Sequence, residues 1–366
     1  MEYCTHFLAK HLNEMDAIQA SVACGTLRGV PPDFEYPYPC YRAKSFSFLT
    51  PWLAQKNREQ LVKKEKIQVF HGQMLHGGGY DAMRLSQQFD LPFVAQSHGA
   101  DVQTVSEIIY GALNDSAKKH QIKEVLKNAD RLIAVSSLNK QHMVDLGAQP
   151  DRIDVVFNGI AIKEMNAIPF HDLRPQLGLK PEDFVLISVG RNKPIKRMEM
   201  LFEALKKLKD YTSIKCMCVG PKQHLETLAQ KYGVTDKVVL VGSIPENHDF
   251  NDEPPYPDLI NAYRSANVFV SCSYVEAFSC ATADALACGI PVIIGKCHGV
   301  KDVVKDGETG LVMQKESADE LAQLILQLYE DRSALKSNEE QIKHSIAHLS
   351  WEHISKQMAH IYKALK

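Results

Sequence analysis

Short β-rich apolar runs alternate with helical patterns along the whole chain, and this limits the fold more than any other feature. Residues 17–24, 67–70, 92–95, 131–135 and 153–157 read as strands, and a second set follows at 184–189, 214–219, 238–241, 268–271, 291–294 and 310–313. Strands joined through helices pair in parallel, and a parallel sheet needs helices over both faces. The expectation is an α/β protein built from two doubly wound units. Between the two sets, 162–183 carries Pro169, Pro175, Gly178 and Pro181 without a sustained apolar period, so it is expected to be the hinge. The boundary is expected near Asn166, giving an N-terminal unit over 1–165 and a C-terminal unit over 166–348. Residues 349–366 should add a last helix, with Ile354, Met358, Ile361 and Leu365 at helical spacing, packing back toward the N-terminal unit.

A chain of 366 residues, 45% hydrophobic and 23% charged, can supply two cores. Its net charge of -2 excludes a surface built throughout to hold nucleic acid. The nine cysteines contain no C-x-x-C pair, and several lie in apolar runs, which fits reduced thiols in a cytoplasmic protein. No apolar run approaches the ~20 residues of a bilayer span. Segment 36–70, from Tyr36 to Phe70, interleaves cations such as Arg42, Lys44 and Lys56 with Tyr38, Phe46 and Trp52. That mixture suits peripheral contact with an anionic membrane face, and equally a turn with buried rings and solvated cations.

Two clusters carry chemistry. Val189-Gly190-Arg191 ends a strand, and Lys196 follows just before an apolar helix. Guanidinium, ammonium and a helix start at a strand's carboxyl end suit a diphosphate, although on these residues alone a solvated basic turn is equally open. In the stretch 273–291, a strand ends in polar residues, a turn carries Glu276, and an alanine-rich helix carries Asp284 up to Gly289. Both carboxylates can then face one cleft and accept paired hydrogen bonds from vicinal hydroxyls of a sugar or ribose. Glu276 could as well be a helix-start carboxylate favoured by the dipole.

Gly190-Arg191 with Lys196, Glu276-Ala277-Phe278 with a carboxylate eight positions on, Cys288-Gly289-Ile290-Pro291-Val292, and 306–311 (D-G-E-T-G-L) resemble the donor-domain signature of family-4 retaining glycosyltransferases of GT-B fold. In the N-terminal half, Ser97-His98-Gly99-Ala100-Asp101 resembles the family's T-x-H-G-x-D, and Val135-Ser136 and Asn158-Gly159-Ile160 resemble its V-S and P-N-G-V segments. The resemblance implies two Rossmann-like domains facing a cleft, and metal-independent transfer, with retention, of a hexosyl-type sugar from a nucleotide-diphosphate donor to a glycan, lipid-linked glycan or small molecule. It implies that Arg191 and Lys196 hold the diphosphate, that Glu276 binds donor-sugar hydroxyls beside the amides of Phe278 and Ser279, that Gly190 and Gly242 line the donor site, and that Asp284 takes the ribose. His98 would reach the donor sugar. A nucleotide sugar and an acceptor are then the partners, no cofactor or metal is expected, and polysaccharide or lipopolysaccharide synthesis is the natural setting.

The same resemblance admits an epimerase, a phosphorylase or an inactive binding relative. Asp284 replaces a glutamate, and Ala277 and Arg197 stand where the family has glycine, which leaves donor preference open. Segment 2–12 resembles the family's first helix, whose preceding strand and Gly-Gly loop are not present in the sequence. The expectation is a truncated start, with a gap in the first sheet between 17–24 and 67–70. Gly77-Gly78-Gly79 lacks the G-x-x-x-x-G-K pattern of a phosphate loop, His71 and His76 have no cluster to complete a metal site, and no D-x-D pair occurs.

Overall fold

A computed structural model describes residues 2–15, 18–24, 35–42, 59–244, 254–331, 335 and 337–365. The chain forms two compact units: Met1–Thr104, Ile109–Gly159 and Trp351–Lys366 make the first, Val105–Ile108 and Ile160–Ser350 the second. Residues 160–165, read from the sequence as part of the N-terminal unit, therefore belong to the second.

The second unit is a six-stranded parallel sheet of β7 (Phe184–Val189), β8 (Ile214–Val219), β9 (Val238–Gly242), β10 (Val268–Ser271), β11 (Val292–Gly295) and β12 (Gly310–Met313), in the order β12-β11-β10-β7-β8-β9. Continuous apolar strands such as Phe-Val-Leu-Ile suit a sheet covered on both faces, and Leu186, Cys216, Val270 and Ile293 are buried under Phe202, Leu205 and Ile325. From β7 the chain winds outward through β8 and β9, then returns to pair β10 on β7's other side. The order reverses between β7 and β10, so their carboxyl ends border the crevice where doubly wound sheets bind ligands. The loops there are 190–197 and 272–279.

The first unit holds a four-stranded parallel sheet, β3 (Phe70–Gln73), β4 (Phe93–Ser97), β5 (Arg131–Ala134) and β6 (Ile153–Val155), in sequential order. The expected strand 17–24 is the short β1 (Val22–Cys24), which pairs with an unforeseen β2 (Cys40–Arg42) in a separate two-stranded sheet; among the described residues no ladder joins it to β3. Helix Glu2–Asn13 buries Phe7, Leu8 and Leu12, and the Phe7 ring stacks on Trp351 at 5.8 Å and 14°. Trp351 opens the last helix, Trp351–Ala364, and lies on Gly159, where a Cβ would come within 2.3 Å of the indole. The Asn158-Gly159-Ile160 motif thus needs glycine for close packing.

The proline-punctuated segment 162–183 is not a bare linker. It contains a helix, Ile162–Ala167, and is fastened to the second unit: Arg264 donates to the carbonyls of Ile168 (2.7 Å) and Met165 (2.8 Å), and Arg174 donates to Ser265 O (2.8 Å) and Asn267 Oδ1 (3.1 Å). Side chains bonded to backbone replace the apolar period that a sequence reading looks for. Among the described residues no helix is long and apolar enough to cross a membrane. Of the basic aromatic segment, residues 43–58 lie outside the described ones. Tyr38 is buried and stacked with Tyr36, and the Tyr41 hydroxyl donates to Glu65 Oε1.

Candidate active site

In the second unit, the loop after β7 turns through Gly190 and places Arg191 and Lys196 at the switch point. Gly220, which follows β8, presses on this turn, since a Cβ there would meet Gly190 O at 2.0 Å. Lys196 folds back over Gly190 and makes an ion pair with Glu276. Arg191 is exposed at the crevice with Ser188, Asn192, Ser271 and Ser273. Gly242 closes β9 beside Lys222, a cation the sequence reading passed over.

Glu276 is held from several sides. Its Oε1 accepts from Ser273 Oγ (2.8 Å), its amide donates to Cys297 O (3.3 Å), and its carbonyl accepts from Gly299 N (2.8 Å). His298, buried completely, donates Nε2–H to Ser273 O (3.0 Å). Burial works to raise the Glu276 carboxyl, but Lys196, His298 and the Ser273 hydrogen bond outweigh it, and the group ends below the ordinary carboxylate range. An anion at Arg191 and Lys196 would meet two cations.

Phe278 is buried, and Ser279, at φ 70°, sets the start of helix Cys280–Ala287. Asp284 lies on this helix, apart from the hydrogen bonds that join Glu276 to Lys196, Ser273, Cys297 and Gly299. Burial pushes its carboxyl up to about 7; burial, and after it the Asp284 charge, also raises the Tyr263 phenol and the Cys288 thiol.

The first unit organises His98 differently. Asp101, buried, accepts from Ser97 Oγ (2.8 Å), Gly99 N (2.9 Å) and Leu75 N (3.0 Å), and Asn139 Nδ2 donates to Ser97 Oγ (3.0 Å). The motif aspartate therefore builds the loop that carries His98, and the V-S segment buttresses it through Asn139. His98 Nε2 lies 2.6 Å from Gln73 Oε1, which makes Nε2 the protonated nitrogen and leaves a lone pair on Nδ1. Gln73 Nε2 reaches His71 (3.2 Å), and His71 Nδ1 reaches the Tyr362 hydroxyl at 2.7 Å. Burial lowers His98 to about 3 and His71 to about 4, so both rings are neutral. Among the described residues, no group of three or more His, Cys, Asp or Glu side chains could hold a metal ion.

Two parallel-sheet units of this topology define the GT-B class. Anabaena HepE in complex with UDP superposes with a TM-score of 0.78 at 18% identity, over 99% of this chain and 96% of that one. Sucrose-phosphate synthase from Thermosynechococcus elongatus superposes at 0.82 and 24% identity, over 98% and 91%. The family model of Glycosyltransferase Family 4 matches residues 1–164, and that of Glycosyl transferases group 1 matches 169–346. The chain belongs to the family-4 glycosyltransferases of GT-B fold. Among curated relatives, a D-inositol 3-phosphate glycosyltransferase of Mycobacterium sp. (strain KMS) is 30% identical over 211 residues, 56% of this chain and 45% of that protein. That of Rhodococcus jostii is 26% identical over 291 residues, 75% and 62%. The chain thus spans about half to three fifths of the length of these relatives.

Proposed function

We propose that the protein transfers a sugar from a nucleoside-diphosphate donor to an acceptor hydroxyl with retention of configuration, the second unit holding the donor. The observation that carries this reading is the Lys196–Glu276 ion pair at the switch point, with Arg191 exposed beside it. Without a donor, each charge of the pair satisfies the other. A donor divides them: its diphosphate takes Lys196 and Arg191, and its sugar hydroxyls donate to Glu276. The bond from C1 to the phosphate oxygen breaks, a bond from C1 to the acceptor oxygen forms on the same face, and the acceptor proton passes to the leaving phosphate. The cations stabilise the charge that develops on that phosphate. His98, neutral with a lone pair on Nδ1, suits a sugar hydroxyl, and Asp284 the ribose. The UDP and UDP-glucose bound by HepE in its structures make uridine nucleotides the first donors to try.

The test separates sugar from nucleotide. Glu276→Gln is expected to abolish most transfer while keeping UDP binding in calorimetry, and Asp284→Ala to weaken UDP binding by roughly 1–3 kcal/mol, the scale of a charged hydrogen bond. Loss of UDP binding in Glu276→Gln with retention in Asp284→Ala would reverse the two roles. A wild-type chain that transfers or hydrolyses no UDP-, GDP- or ADP-sugar would overturn the activity itself.

A further inference from the structure

Arg197 and Glu316 are 119 positions apart, and both hold left-handed backbone, at φ 49° and 51°. That region is unfavourable for any residue with a Cβ, and glycine fills it most easily. Here two side chains of opposite charge occupy such positions and meet. Arg197 Nη1 donates to Glu316 Oε2 (3.3 Å) and Nη2 to the Glu316 carbonyl (3.0 Å), while the guanidinium lies 4.5 Å above the Tyr274 ring. Both side chains are mostly buried, with 20% and 14% exposed, so water screens the pair less than it screens a surface pair.

The contacts continue into the site. The other Glu316 oxygen, Oε1, accepts from Cys297 N (3.4 Å), Cys297 O accepts from Glu276 N (3.3 Å), and Glu276 closes on Lys196, the neighbour of Arg197 in sequence. Tyr274 N donates to Ile195 O (2.9 Å), tying the β10 loop to the β7 loop beneath the guanidinium. The loops after β7, β10, β11 and β12 are thereby joined in one ring: 196, 197, 316, 297, 276 and back to 196.

We propose that Arg197, through Glu316 and Tyr274, is a positioning residue that fixes Lys196 against Glu276 for donor binding, an inference that rests on the function proposed above. Arg197 replaces backbone freedom with a salt-linked clamp, so the pair is already spaced when a donor arrives, and no ordering of four loops is needed at that moment.

Arg197→Gly isolates this role, because glycine accepts φ 49° without strain and removes only the clamp. The expected result is a small fall in melting temperature, since strain relief offsets only part of the cost of leaving Glu316 without its cation, together with hydrogen exchange about tenfold or more faster at the Glu276 and Gly299 amides and unchanged rates in Ile214–Val219. With UDP-glucose or whichever sugar nucleotide proves active, kcat should fall by about tenfold. Arg197→Lys, which keeps the charge but loses the forked geometry, should lie between. The double variant Arg197→Gly with Glu316→Gln should be no worse than the poorer single one, as expected of partners in one interaction. Unchanged exchange at Glu276 and Gly299 in Arg197→Gly overturns the proposal, whether or not the wild type transfers sugar. Absence of transfer in the wild type, by contrast, counts only against the proposed function.

Discussion

The two units carry their candidate site residues in opposite electrostatic styles. Around His98, the hydrogen-bond network among the described residues is uncharged: Gln73, Gln96, His71 and Tyr362 share hydrogen bonds, and burial keeps both imidazoles neutral. Around Glu276, charges are matched: Lys196 with Glu276, Arg197 with Glu316, and Arg191 exposed at the crevice. A buried neutral network suits a ligand that exchanges hydroxyl hydrogen bonds, since a fixed charge there would be costly. Matched ions suit a ligand that brings both a negative charge and hydroxyl donors, because the anion can take over the cation while the hydroxyls take over the carboxylate. The difference therefore agrees with an uncharged sugar at one site and a phosphorylated donor at the other.

The comparison breaks most readily at Lys196. Lys196→Ala should lower kcat by roughly 10²-fold or more at saturating donor, the scale of removing one preorganised charge stabiliser, with little change in melting temperature. Full activity in steady-state kinetics would remove Lys196 from the phosphate and leave the pair with Glu276 as a structural contact. Gln73→Leu should have a smaller effect, about tenfold on kcat, because it frees the His98 ring to turn and unlinks His71 and Gln96 without removing a charge. If His98 acts through its orientation, Gln73→Glu should raise the imidazole's pKa through the adjacent negative charge, and an acid limb should enter the pH–rate profile. A profile identical to wild type would make Gln73 a packing residue. On the packing side, Gly159→Ala should cost about 1–3 kcal/mol in denaturant unfolding through its overlap with the Trp351 indole.

Much of this was legible in the chain. Strands β7, β8, β10 and β12 lie where the apolar runs predict them, because a strand covered on both faces is written as a continuous apolar run. The motif residues Lys196 and Glu276 meet, although 80 positions separate them. What could not be read was tertiary pairing with no local signal. Gln73 looks like any polar residue at a strand end, and Tyr362 lies 291 positions from His71 on the last helix. Arg197 and Glu316 offered one hint, a side chain standing where the resembling family has glycine, but sequence alone does not say what that side chain touches. The fastening of segment 162–183 was not legible either, because Arg174 and Arg264 hold it by hydrogen bonds to backbone, which leave no periodicity.

The subtlest test of the comparison is pH, because His71 and His98 in the first unit and Asp284 in the second should respond to acid in opposite directions. In the first, His71 and His98 have folded pKa values near about 4 and about 3, below the ~6.5 of an unfolded histidine. The unfolded chain binds more protons between these values, so stability present at neutral pH is lost as pH falls from ~6.5 toward about 3. In the second, the Asp284 carboxyl is raised to about 7, above the ~3.9 of an unfolded aspartate. There the folded chain holds the extra proton, so stability rises as pH falls from about 7 toward ~3.9 and is lowest in alkali. Asp284→Asn should therefore raise the melting temperature above pH 7, and the gain should fade as pH drops through the acid range. The ionised form is the one that accepts hydrogen bonds from a ribose, so UDP binding by the wild type should weaken below pH 7, and in Asp284→Asn that dependence should shrink to the part due to the UDP terminal phosphate, which titrates near ~6. Calorimetric UDP titrations at pH 5.5 and 8 on both proteins decide it. A wild-type pH dependence no larger than that of Asp284→Asn would mean that Asp284 stays ionised across the range or never meets the nucleotide, and the second unit would then rest on Lys196, Arg191 and Glu276 alone.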